Sequence, residues 1–176
     1  MPKQIKLKIM KKILVFTVLC FVTVAIFAQN PLGKGEMQLN AGLGLGSFGK
    51  PVYLGLEYGI HEDISLAADV SYQSKNYDYA KQSAIGASVK ANYHFNRILK
   101  IDKKWDFYAG LGINYYKFNT KFSGSNTNYS FDYDSGFGFD AQVGGRYFFT
   151  ESFGLNLEYG GGSNLSGGRL GITYKF

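Results

Sequence analysis

Nine charged residues, Glu57, Asp69, Lys90, Asp106, Asp140, Arg146, Glu158, Arg169 and Lys175, are the part of this chain that could do chemistry, with His94 beside them. Each stands among Gly, Ser, Asn and Ala on one side of an alternating segment whose other side is apolar. Five acids against four bases is close to neutral, as expected of charges that must find partners in an enclosed interior. Glu158 and Arg169 are equidistant from the middle of the loop joining their segments, so a cross-strand pair is predicted. Lys90 with Asp69, and Arg146 with Asp140 or Glu158, are looser pairings. A structural charge network and a gated conduction path are both open to such a set.

Other chemistry has little to start from. The only histidines are His61 and His94. His94 lacks a serine two residues on, because Asn96 stands there. His61 adjoins Glu62 and Asp63, and three consecutive turn residues do not readily converge on one ion. Runs such as Gly42-Leu43-Gly44 lie within strands, not in the strand–turn–helix setting of a nucleotide loop. No catalytic residue, cofactor or metal is expected, and a non-catalytic role is predicted.

The elements that must position these charges are strands. Alternation recurs in eight segments, at about 36–45, 52–59, 64–73, 85–95, 105–115, 137–149, 153–159 and 168–176. No convincing helix interrupts them. Polar loops are predicted at 74–82 and 117–134, and a basic connection at 96–104. The last segment puts Leu170, Ile172, Tyr174 and Phe176 on one face and Arg169, Gly171, Thr173 and Lys175 on the other.

Residues 1–28 read as a secretory signal peptide. Lys3, Lys6, Lys8, Lys11 and Lys12 precede an apolar run, and Ala25-Ile26-Phe27-Ala28 supplies the small residues of a cleavage site. The run is about 15 residues, short of the ~20 that cross a bilayer as a helix. Residues 29–176 form the predicted mature domain. The formal charge of +6 then falls to about +1, which removes any argument for nucleic acid binding. Cys20, the single cysteine, leaves with the signal.

An all-β, eight-stranded antiparallel up-and-down transmembrane barrel accounts for the pattern. Strands of this length cross a bilayer at a tilt, and an even count returns the chain to its starting side. The polar face is glycine-rich, which suits the crowded interior of a small barrel better than a solvated surface. Tyr58, Tyr93, Phe95, Trp105, Phe107, Tyr147, Phe149, Phe153, Tyr174 and Phe176 would form a girdle at the periplasmic rim. Tyr72, Tyr115, Phe137 and Tyr159 would form a thinner one outside. A one-residue slip would turn Lys90, Arg146 and Arg169 into lipid, at roughly 2–4 kcal/mol each near the midplane.

The signal peptide, the eight segments and the terminal Tyr174-x-Phe176 resemble the small outer-membrane barrels typified by outer membrane protein X and the N-terminal domain of outer membrane protein A. The resemblance implies a bacterial outer-membrane location, a polar interior without a wide pore, and a monomer surrounded by outer-membrane lipid. It also implies that Leu170, Ile172, Tyr174 and Phe176 form a C-terminal signal for the barrel-assembly machinery, which with periplasmic chaperones would be a partner during biogenesis. Some barrels of this size modify lipid A, a reading that His61 and His94 serve poorly. The segment 119–133, rich in Asn, Ser, Thr, Tyr and Phe, is either an ordinary solvated loop or a hairpin that meets an extracellular partner. A structural or surface-interaction protein is the expected function, with a narrow porin-like pore as the alternative.

Overall fold

The computed structural model describes residues 31–78, 80–122 and 134–176. The strands are β1 Met37–Gly46, β2 Val52–His61, β3 Ile64–Tyr77, β4 Ala80–His94, β5 Trp105–Phe122, β6 Gly136–Phe148, β7 Phe153–Gly162 and β8 Ser166–Lys175. They form one closed barrel in chain order. All eight neighbour pairs are antiparallel, including the seam between β1 and β8, which runs from Gln38↔Lys175 to Gly46↔Gly167. The signal peptide expected at 1–28 lies outside the described residues.

The core sits inside the cylinder and is polar. Gln38, Glu57, Ser65, Asn92, His94, Asp106 and Arg146 are buried, whereas Leu43, Leu56, Val70, Val89, Leu111 and Leu157 are exposed on the outer wall. Leu170, Ile172, Tyr174 and Phe176 also face outward. Aromatic rings girdle one end: Trp105 lies 4.7 Å from Tyr147, Tyr147 5.3 Å from Phe149, and Tyr174 5.4 Å from Phe176. At the other end Tyr115 meets Phe137 at 4.9 Å.

Two predicted loops are corrected. Residues 74–77 and 80–82 continue β3 and β4, and 117–122 continue β5, so these strands rise past the outer girdle. Beyond the bilayer no apolar face is needed, so polar residues on both faces still pair as strands. The rest of the predicted 119–133 loop, residues 123–133, lies outside the described residues. The basic connection holds a one-turn helix, α1 Asn96–Leu99, closed by Lys100 in the left-handed conformation (φ 54°). Arg97 in that turn pairs with Asp63.

Candidate functional site: the barrel lumen

Small inward residues leave room for a few large polar ones, and these meet in two tiers. The lower tier is a closed ring contributed by β2 to β6. Arg146 donates from Nη2 to Glu57 Oε2 (2.5 Å) and from Nη1 to Asp106 Oδ2 (2.6 Å). Asp106 Oδ1 lies 2.7 Å from His94 Nδ1, and His94 Nε2 lies 2.9 Å from Ser65 Oγ. Ser65 closes the ring by donating to Glu57 Oε1 (2.5 Å). Glu57 also accepts from Gln38 (2.8 Å), Asn40 (3.2 Å) and Asn92 (2.9 Å). Every member of the ring is at most 1% exposed. Burial of this depth requires each charge to meet an opposite one, because an unpaired charge in a water-poor interior costs several kcal/mol, about 3–5; Arg146 Nε alone of this guanidinium has no partner among the described residues.

The upper tier centres on Asp69, which receives Lys90 (3.0 Å), Arg169 (3.1 Å) and Ser88 (2.6 Å). Lys90 donates to Gln142 (2.9 Å), and Gln142 donates to Asn92 (2.9 Å), joining the tiers. Tyr108 joins them a second way: its ring lies 4.0 Å beneath the Arg146 guanidinium and its hydroxyl donates to Glu158 (2.6 Å). Tyr53, under Arg169, donates to Asn156 (2.6 Å), which reaches Thr173 and through it Asn40. All eight strands thus contribute to one hydrogen-bonded web.

Of the predicted pairs, Lys90 with Asp69 stands in direct contact. Glu158 and Arg169 are register partners, yet their charged atoms are 3.9 Å apart, because Arg169 leans to Asp69 and Tyr108 takes Glu158. Arg146 does not pair with Asp140 or Glu158; it reaches across the lumen to Glu57 and sideways to Asp106. Asp140 sits higher, with Oδ1 unpartnered among the described residues, beside a cavity of about 60 Å³. Lys175 stands at the rim beside the start of β1, 3.6 Å from Glu36 and 2.8 Å from the Pro31 carbonyl. Alternation also turns Tyr53, Tyr108, Ser65, Asn92 and Gln142 inward. Their roles were missed because uncharged side chains carry no partner signal in a sequence.

Apolar groups close both ends. Outside, Phe48, Ala84 and Tyr116 are buried with Phe118 and Leu165 packed on them, and Phe48 meets Phe118 edge-on at 5.3 Å. At the opposite end Leu32 and Phe148 are buried. There, Pro31–Glu36 folds over the mouth, held by Gly35 N–H to the Gly59 carbonyl (2.7 Å) and by Lys175. Interior cavities of about 60 and 20 Å³ lie between these ends, space for a few waters.

Ser65, His94 and Asp106 have the spacing of a nucleophile–base–acid array. In such an array the serine donates to its histidine. Here Ser65 donates to Glu57, and its oxygen lies 2.9 Å from His94 Nε2. Among the described residues no group of three or more His, Cys, Asp or Glu could hold a metal ion.

Solved structures share this architecture. The chain resembles the outer membrane protein OprG from Pseudomonas aeruginosa (TM-score 0.64, 12% identity, 85% of this chain and 99% of that one). It also resembles Neisserial surface protein A (TM-score 0.56, 22% identity, 80% and 96%). The outer membrane enzyme PagL has the same fold (TM-score 0.52, 15% identity, 78% and 98%), so the fold alone does not separate catalytic from non-catalytic barrels. No curated protein matches by sequence. The family described as outer membrane protein beta-barrel domain matches residues 14–176. With its closed eight-stranded wall, apolar exterior and polar interior, the chain belongs to that family of bacterial outer-membrane proteins.

Proposed function

We propose that this protein is a sealed barrel whose work is structural or done at its outer surface, neither conducting solutes nor catalysing a reaction. The observation that carries the reading is the buried Arg146–Glu57–Ser65–His94–Asp106 ring, which fills the lumen where a solute would have to pass. Opening a path would mean separating Arg146 from both Glu57 and Asp106. Strands β3 to β5 extend beyond the outer girdle, which favours a surface-interaction role over a purely structural one.

The test is paired. The mature chain is reconstituted in planar bilayers for conductance, and cells carrying it are compared with cells lacking residues 123–133 for binding to host-type or abiotic surfaces. A loop-dependent difference with no conductance steps is expected. Steps that change on Arg146→Ala would replace this reading with the narrow gated pore. Lipid hydrolysis or acyl transfer abolished by Ser65→Ala or His94→Ala in the folded protein would replace it with the enzyme.

A further inference from the structure

The outward wall of β3, β4 and β5 changes character in registered rows as it rises. Ala68, Val89 and Ile113 form one row, and Val70, Ala87 and Tyr115 the next. The small Ala68 and Ala87 leave a groove of about 530 Å³ on this outer wall, also lined by Leu54, Leu56 and Phe137. That is within the size range of small-molecule sites, about 300–1,000 Å³. Above it come Tyr72, Ile85 and Lys117, then Ser74, Ser83 and Asn119, then Asn76, Lys81 and Lys121. Lys81 and Lys121 are direct cross-strand partners, and both are exposed. Like charges placed opposite each other destabilise a sheet unless something of opposite charge sits between them. Among the described residues no carboxylate pairs with Lys81, Lys117 or Lys121.

We propose that this wall is a docking surface for a phosphorylated glycolipid of the outer leaflet, with acyl chains in the groove, sugar hydroxyls on the Ser74–Ser83–Asn119 row, and phosphates on Lys117 and on the Lys81–Lys121 pair. Heights decide the occupant. At about 3.3 Å per residue and a tilt near 40°, Lys117 stands roughly 5 Å above Tyr115 and Lys121 roughly 15 Å. The headgroup layer of an ordinary bilayer adds only about 5–8 Å per leaflet. A simple phospholipid therefore reaches Lys117 and stops short of Lys81 and Lys121. A soluble polyanion has no use for the groove. A lipid with a tall, phosphorylated saccharide head meets both, and lysine binds phosphate as a mobile point charge.

The folded full chain in detergent is titrated with phosphorylated lipopolysaccharide, with the same lipid after enzymatic dephosphorylation, and with a heparin-type polysaccharide. Phosphorylated lipopolysaccharide should bind at least tenfold more tightly than the dephosphorylated form, a comparison that needs no variant. Lys81→Ala/Lys117→Ala/Lys121→Ala should lose that tenfold, and the corresponding arginine triple should keep it. Ala68→Phe/Ala87→Phe, which fills the groove without altering charge, should weaken binding several-fold. Equal binding of both lipid forms overturns the proposal. So does heparin-type binding that matches the lipid and ignores the groove variant, which would make the wall a site for soluble polyanions instead.

Discussion

Glu57 accepts from Gln38, Asn40, Ser65, Asn92 and Arg146, and it lies on the strand across the lumen from Arg146. Arg146→Ala would leave Glu57 and Asp106 buried without the guanidinium that bridges them. A loss of about 3–5 kcal/mol is expected in urea unfolding of the folded barrel in lipid vesicles. Replacing Arg146, Glu57, Asp106 and His94 together by apolar residues of similar volume should cost much less, since no orphaned charge remains. Alternation in the sequence showed which charges turn inward, because it follows from the two-residue period of a strand. Beyond Lys90 with Asp69, it did not show who pairs with whom. Symmetry about a loop reveals neighbours along a hairpin, such as Glu158 and Arg169, but Arg146 and Glu57 are 89 residues apart and meet only because the sheet closes. Even the neighbours were diverted, since Tyr108 and Asp69 compete for the same two groups.

The segment Pro31–Glu36 and the extended tops of β3, β4 and β5 were the elements least legible in advance. In the membrane, lipid on one side and a packed lumen on the other impose strict alternation. Outside it neither constraint holds, and 74–77 and 117–122 look like loops while pairing as strands. Leu32 gave no sign of its burial, because nothing local distinguishes an apolar residue in a linker from one that closes a mouth. The closure depends on Gly59: a side chain there would run into the Gly33 carbonyl. Gly59→Val should push 31–36 off the mouth, and trypsin should then cut after Lys34 several times faster than in the wild type while the barrel stays folded. Unchanged cleavage would mean that the segment is held elsewhere.

For the whole molecule the deciding property is which side of the wall meets lipid. Val89 is exposed on the outer wall, partnered by Ala68 and Ile113. Val89→Lys should cost about 2–4 kcal/mol in a bilayer if that position lies near the midplane. A cost near zero, measured by the same urea titration, would contradict the facing of every strand, because one register fixes them all.

The join between Met37–Gly46 and Ser166–Lys175 also constrains how the protein is made. The first of the eight strands to leave the ribosome finds one of its two neighbours only when Ser166–Lys175 has been translated. Until then a row of peptide groups is left bare, which hydrocarbon does not tolerate. Insertion therefore has to await that strand, and trimming Ser166–Lys175 should yield no smaller cylinder but an open sheet destined for proteolysis.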